Sequence, residues 1–293
     1  MIPKEIIQKV RRIQITTSRK VTDVFAGQYK SVFKGAGMEF DEVREYLPGD
    51  EIRSIDWNVT ARMGHPYIKK FAEERELTIM ILLDVSKSSK FGTTGRLKSE
   101  VAAELCSVIA FSAIKNSDKV GMITFTDRIE KFIPPRKGVR HVLRVIREAL
   151  YNKPQGTGTD INNALEYLNK VTTRSAITFV VSDFFAPNFK KTLSITNKRH
   201  DVIAVTITDP IEEKLPEVGI VKLHDAETGV PYIVDTSDPK TRKIYEENAL
   251  AKSEGRQQGF RSISVDNINI RTDESYVEPL IRFFRMRERR LVR

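Results

Sequence analysis

The sequence lacks the features that several large protein classes require. It has one cysteine, Cys106, which excludes a disulfide scaffold. Its longest apolar run, residues 77–83, is far shorter than the roughly 18 residues of a membrane-spanning helix. The N-terminus has no continuous apolar core of signal-peptide length. We therefore expect a soluble, cytoplasmic protein.

Acidic residues are fewer than basic ones. The chain has 49 lysines and arginines against 39 aspartates and glutamates, and its formal net charge is +10. Such an excess is compatible with nucleic-acid binding, but it also describes a solvated surface rich in lysine and arginine. We favour the solvated surface and do not expect a nucleic-acid partner. Hydrophobic residues make up 40% of the chain, which excludes disorder over most of its length.

The apolar residues form short segments separated by helical patterns. Four nearly continuous apolar segments stand out, at residues 77–83, 120–125, 176–181 and 202–207. Such segments are typical of strands that are covered on both faces of a parallel sheet. Their alternation with helices predicts an α/β fold, a doubly wound and mostly parallel sheet over residues 76–210. Residues 128–135 predict an additional edge strand.

Two further segments flank this predicted domain. Residues 1–75 form an N-terminal extension with a short amphipathic helix near Ile6 and the motif GMEFDEVREYLPGDEIRSIDW. Residues 211–293 form a C-terminal α/β extension. Its pattern predicts two strands around a Glu-Thr-Gly turn, a polar helix over residues 238–258, a strand over residues 261–270 and a final helix with an arginine-rich face.

Oxygen-bearing side chains cluster where three segments of the predicted domain meet. The first apolar strand ends in Asp84-Val85-Ser86-Lys87-Ser88, and the third is followed by Asp183. The Gly-rich loop at residues 156–160 places Thr159 or Asp160 at the start of a helix. Each residue alone could be a helix cap or a turn residue. Together, at the carboxyl edge of one sheet, they predict a site for Mg²⁺, with Mn²⁺ or Ca²⁺ possible.

This arrangement resembles the von Willebrand factor A-type domain and its metal-ion-dependent adhesion site. The resemblance implies that two serines and a threonine bind the metal directly, while aspartates bind it directly or through water. A carboxylate of the ligand completes the shell. The segment TDINNAL fits the helix start that follows the family's threonine, which favours Thr159 over Thr157. Carried over by position, the metal-binding residues are Asp84, Ser86, Ser88, Thr159 and Asp183.

A longer resemblance covers nearly the whole chain. The stretch GAGMEFDEVREYLPGDEIRSIDWNVTAR is similar to the bacterial family called domain of unknown function fifty-eight. These are von Willebrand A-like proteins whose genes commonly lie beside a MoxR-type AAA+ ATPase. The resemblance implies a partner-binding protein that works with such an ATPase in the assembly or maturation of other, unidentified client proteins. Many members carry transmembrane helices before this motif, whereas this chain has none there.

The leading hypothesis is a non-enzymatic, metal-dependent protein-interaction module. No catalytic residue is predicted, because the four histidines fall in no motif, Cys106 lies in an apolar helix and the Gly-rich loop lacks the P-loop lysine. Two alternatives stay open: a metal-dependent phosphohydrolase or nuclease, and a nucleic-acid-binding protein that uses the C-terminal arginines. The acidic residues near the N-terminal motif either form local salt bridges or supply a carboxylate to the metal.

Overall fold

The computed structural model describes residues 39–72, 76–224 and 230–291. The helix predicted near Ile6 and the predicted Glu-Thr-Gly turn lie outside the described residues. The chain divides into two compact units, a small one over Phe33–Leu77 and a large one that contains Thr78–Arg293. We call the large one the sheet unit.

The strands described are, in chain order, β1 (Glu39–Glu45), β2 (Tyr67–Ala72), β3 (Thr78–Asp84), β4 (Lys119–Phe125), β5 (Ile129–Arg136), β6 (Ile177–Ser182), β7 (Asp201–Thr208), β8 (Ile220–His224), β9 (Pro231–Asp235) and β10 (Asp266–Arg271). The α-helices are α1 (Trp57–Met63), α2 (Lys98–Lys115), α3 (Val139–Tyr151), α4 (Ile161–Val171), α5 (Lys190–Arg199), α6 (Pro210–Glu213), α7 (Pro239–Ser262) and α8 (Val277–Leu291). In the described part of the chain, no helix is long and apolar enough to cross a membrane.

The small unit is built from β1, β2 and α1. The two strands pair antiparallel, and Asp56 caps α1 by accepting a hydrogen bond from the backbone N–H of Asn58. The Arg44 guanidinium donates to both carboxylate oxygens of Asp50, at 2.9 and 2.7 Å, and this ion pair holds the pKa of Asp50 below its usual value. For Asp50, the salt-bridge interpretation of the acidic motif is therefore confirmed.

The sheet unit contains a six-stranded sheet in the order β10-β7-β6-β3-β4-β5. All neighbours pair parallel except β4 and β5, which are antiparallel. The four apolar segments form β3, β4, β6 and β7, because continuous apolar strands are buried between helices on both faces. The predicted edge strand is β5. The expected α/β fold, a doubly wound and mostly parallel sheet, is confirmed.

The C-terminal segment contributes to the same sheet. Strand β10 pairs with β7 from Asp266 opposite Ile203 to Arg271 opposite Thr208. The predicted hairpin is formed by β8 and β9, and the predicted final helix is α8. The predicted start of the last strand, at residue 261, was wrong. Helix α7 continues to Ser262, and the strand begins at Asp266. The helix extends because Phe260, in its last turn, is buried in the core.

This strand order positions a cleft. The chain leaves β3 toward β4 on one side, and it leaves β6 toward β7 on the other, so the two central strands lie at a topological switch point. In open α/β sheets, ligands bind in the crevice beyond the carboxyl ends of such strands. The structure therefore places the segments after β3 and β6 side by side at the expected binding edge.

His200 gives the sheet unit a pH-dependent stability. It lies buried after α5, its Nδ1 accepts the backbone N–H of Ala176 at 3.2 Å, and burial together with the Arg199 charge lowers its pKa. The folded state thus favours the neutral imidazole. The resulting contribution to stability is fully present above the ordinary pKa of histidine, and it is lost as the pH falls through the lowered pKa of the folded state. We expect the free energy of unfolding to decrease between pH 7.5 and pH 5. Urea denaturation should show a shallower decrease for His200→Asn; equal slopes would contradict this origin.

Candidate metal centre

The segment after β3 folds into a tight loop that gathers three oxygen-bearing side chains. The backbone N–H of Ser86 donates to Asp84 Oδ1 at 2.9 Å, which turns the chain back over the end of the strand. The hydroxyl oxygens of Ser86 and Ser88 lie 3.1 Å apart. All three side chains are buried. The sequence-predicted D-x-S-x-S residues are therefore brought together.

The end of β6 joins this loop. The Ser182 hydroxyl donates to Asp84 Oδ2 at 2.6 Å, and Asp183 Oδ1 accepts the backbone N–H of Phe185 at 3.2 Å. Burial, and then the repulsion of Asp183, raise the pKa of Asp84 to about 6. Burial and the nearby Asp183 charge therefore disfavour the ionised form of Asp84, which a bound cation would favour.

The Gly-rich loop, which connects α3 to α4, is anchored to β5. Glu130 holds it by accepting the backbone N–H groups of Gln155 and Gly156, at 3.0 and 2.7 Å. The backbone N–H of Lys87 donates to the Thr157 carbonyl at 3.3 Å, which connects this loop to the one after β3. Thr157 is exposed and contributes a backbone contact, whereas the hydroxyl of Thr159, two residues later, is buried.

Thr159 and Asp160 have different roles. Asp160 caps α4 by accepting the backbone N–H of Asn163 at 3.1 Å. The Thr159 hydroxyl is buried and has no hydrogen-bond partner among the described residues. A buried hydroxyl without a partner costs free energy, so a ligand that bonded to it would recover that cost. Of the five predicted metal residues, Asp84, Ser86, Ser88 and Asp183 lie around the ends of β3 and β6, and Thr159 lies on the adjoining loop.

The donor set fits a hard divalent cation. Carboxylates and hydroxyls are the oxygen ligands that Mg²⁺ prefers. No group of three or more His, Cys, Asp or Glu side chains suited to a metal occurs in the described residues, so a metal at this edge depends on the hydroxyls. The metal site stays a prediction, and the orphaned Thr159 hydroxyl is the observation that fits it.

Three of the four histidines make contacts away from this site. His65 lies 3.4 Å from Glu45, His141 Nε2 contacts the Val120 carbonyl at 2.8 Å, and His200 pairs with Ala176. Cys106 is fully buried in α2, and burial raises the pKa of its thiol to about 12. The prediction that this thiol is buried is therefore confirmed.

The structure adds two residues that sequence reasoning missed. Lys98, in the first turn of α2, donates to Asp183 Oδ2 at 2.8 Å and to Glu212 Oε1 at 2.7 Å. Its side chain is 3% exposed. The only sequence signal was its helical spacing with the apolar Val101 and Leu105, which places it on the buried face of α2. Nothing in the sequence indicated that Glu212 in α6 would join it.

Thr159→Val separates metal binding from folding. Valine preserves the shape of threonine and removes the unpartnered hydroxyl, so in EDTA we expect the free energy of unfolding to stay equal or rise by about 1 kcal/mol. We expect the stabilisation by MgCl₂ to fall, with the Mg²⁺ affinity reduced roughly tenfold or more. Thermal melts in EDTA and in increasing MgCl₂ measure both effects. Thr192→Val, at a half-buried threonine of α5 outside the site, is the matched control, and an unchanged Mg²⁺ response in Thr159→Val would exclude this residue as a ligand.

Comparison with known proteins identifies relatives. The family described as "Protein of unknown function DUF58" matches residues 42–255. An uncharacterised protein of Mycobacterium tuberculosis is 30% identical over 283 residues, covering 96% of this chain and 89% of its own length. The uncharacterised protein YeaD of Bacillus subtilis is 26% identical over 140 residues, covering 48% of this chain and 33% of its own length.

Solved structures of similar architecture have low sequence identity. Conserved hypothetical protein BatB from Bacteroides thetaiotaomicron is 16% identical, with a TM-score of 0.45 over 73% of this chain and 99% of that one. The VWA domain of SpRpn10 is 10% identical, with a TM-score of 0.40 over 71% of this chain and 94% of that one.

Proposed function

We propose that this chain, which belongs to the DUF58 family, is a non-enzymatic protein-interaction module that binds a partner through a divalent cation. Ser86, Ser88 and Thr159 would supply hydroxyl ligands to Mg²⁺, and Asp84 and Asp183 would supply carboxylates. When bound, the ion would supply a strong local positive charge to which a partner's Asp or Glu side chain adds its oxygen. Mn²⁺ or Ca²⁺ could take the same oxygen ligands.

The observation that carries the proposal is the buried Thr159 hydroxyl without a partner, on the loop that a hydrogen bond joins to the segment after β3, where the Asp183 charge raises the pKa of the buried Asp84. A divalent cation would satisfy the hydroxyl and offset the repulsion together. A carboxylate buried at an interface loses its hydration, and a metal ion can offset that cost. Binding of the partner would then depend on the metal.

The family resemblance extends the proposal to a partner. We propose a MoxR-type AAA+ ATPase as the protein with which this module works in the cytoplasm, as an adaptor in the assembly or maturation of client proteins. The exposed rim of the site supports a docking role, because Phe185, two residues after Asp183, is 49% exposed beside buried charges. Partly exposed aromatic side chains are frequent anchors in protein interfaces.

Affinity capture from native lysate tests the proposal. Wild type, Asp84→Ala and the control Glu166→Ala, which removes an exposed carboxylate on α4, are compared in Mg²⁺ and in EDTA, with bound proteins identified by mass spectrometry. We expect wild type and Glu166→Ala to retain the ATPase or a client in Mg²⁺ and to lose it in EDTA. We expect Asp84→Ala to retain neither protein in either condition. Retention of every partner by Asp84→Ala contradicts the mechanism. If the wild type hydrolyses a phosphoester in a Mg²⁺-dependent way and Asp84→Ala does not, the protein is a metal-dependent hydrolase and the proposed interaction mechanism is wrong.

A further inference from the structure

A buried ammonium group lies beside the candidate metal centre. The Lys98 Nζ atom bridges Asp183 Oδ2 and Glu212 Oε1, at 2.8 and 2.7 Å. Of these two carboxylates, Asp183 belongs to the proposed metal site and Glu212 does not. One cation thus already occupies an oxygen of a proposed metal ligand.

We propose that Lys98 is a built-in cation that competes with the divalent metal for Asp183, and that Glu212 is the alternative anchor that holds Lys98 when the metal binds. The inference rests on the proposed function, since it concerns the regulation of the same site. It assigns to Lys98 and Glu212 the role of setting the metal affinity.

Electrostatic repulsion makes Lys98 and a divalent ion compete for Asp183. An ammonium at Asp183 reduces the negative charge that the site presents to a divalent ion, and the two cations repel each other at close range. In this buried setting the repulsion is only weakly screened by salt. Metal binding is therefore opposed as long as Lys98 remains on Asp183.

Glu212 is the carboxylate that can keep Lys98 when Asp183 binds the metal. Its ammonium lies 5.6 Å from the centre of the Phe185 ring, and the Arg256 guanidinium lies 5.8 Å from the same ring. Arg256 also donates to the Asp183 carbonyl at 3.2 Å. A buried ammonium that left both carboxylates would lose its compensating charges, so Glu212 is the available partner.

Glu212 is fixed in position to receive it. Its second oxygen, Oε2, accepts the backbone N–H of Asp209 at 2.9 Å in the capping box of α6. A cavity of about 20 Å³ is bordered by Lys98, Asp84 and Asp183 and not by Glu212, so the ammonium can keep its contact with Glu212 without filling this space. Lys98 thus lowers the metal affinity of the site, and a partner's carboxylate would add the contact that retains the ion.

Isothermal titration with MgCl₂ tests the inference on the full chain, using wild type, Lys98→Met, Glu212→Gln and the double variant. We expect Lys98→Met to bind Mg²⁺ about tenfold more tightly, since its competitor is gone. We expect Glu212→Gln to bind about tenfold more weakly, because Lys98 then depends on Asp183 alone. Lys131→Met, which removes a half-exposed lysine paired with Glu148, is the control and should change the affinity less than about twofold.

The double variant distinguishes competition from a general charge effect. If Glu212 acts by holding Lys98, its replacement has little effect once Lys98 is absent, and the two changes are non-additive. Additive changes, or equal affinity in wild type and Lys98→Met, overturn the inference while leaving the metal site intact. Absence of Mg²⁺ binding in every variant overturns both the inference and the proposed function. Should Lys98→Met fail to fold, unchanged affinity in Glu212→Gln alone overturns the inference.

Discussion

Asp84→Asn is expected to stabilise the protein in EDTA and to abolish its stabilisation by Mg²⁺. Burial and the neighbouring Asp183 charge raise the pKa of Asp84 to about 6, so near neutral pH the folded state carries an ionised group that it disfavours. Asparagine retains the acceptor for the Ser86 N–H and removes the charge. We expect the free energy of unfolding in EDTA to rise by about 1 to 3 kcal/mol. Mg²⁺ should then give no further increase.

The same substitution at Asp209 provides the control. Asp209 is also buried, but its carboxylate accepts hydrogen bonds from Thr93, Ile211 and Thr272, and these lower its pKa. Asp209→Asn should therefore destabilise the protein while leaving a response to Mg²⁺. Urea denaturation of both variants at pH 7.5, in EDTA and in MgCl₂, measures the contrast. Destabilisation of Asp84→Asn in EDTA would show that Asp84 supports the fold rather than a ligand.

The central strands were predictable because their physical signal is local. A strand buried on both faces is apolar at nearly every position. Strands β3 and β6 show this pattern in short segments of seven and six residues. Strand β10 has a weaker signal. Its sequence DNINIR buries Ile268 and Ile270 and alternates them with polar residues, as expected at the edge of a sheet. The sequence predicted a strand there, but it did not indicate that this strand joins the central sheet.

The candidate site was predictable to the extent that sheet topology determines it. Residues that follow parallel strands converge at one edge, so Asp84 and Asp183 could be placed together from their positions alone. The contact between Lys98 and Glu212 could not be predicted, because the two residues lie on separate helices and are 114 residues apart in the sequence. Their pairing depends on how α2 and α6 pack, and a buried lysine has no distinctive pattern in the sequence.

The site also depends on an aromatic cluster that begins at the residue after Asp183. Phe184, which follows Asp183 directly, adopts a left-handed backbone conformation with φ of 57°, which is unfavourable for a large side chain. Its ring packs edge-on against Phe260 of α7, with centroids 5.1 Å apart, and Phe189 completes the cluster. Helix α7 thus supports the backbone conformation that positions Asp183.

Phe260→Ala is therefore expected to weaken both the fold and the metal site. Removing this ring, which is 1% exposed, leaves a cavity between α7 and the sheet, and we expect the free energy of unfolding to fall by about 3 to 5 kcal/mol. Because Phe184 loses its support, the stabilisation by MgCl₂ should also decrease. Leu250→Ala, on the same helix but 58% exposed, should change the free energy of unfolding by less than about 0.5 kcal/mol. Urea denaturation with and without MgCl₂ measures both quantities; a Mg²⁺ response of wild-type size in Phe260→Ala would mean that the loop after β6 holds Asp183 without α7.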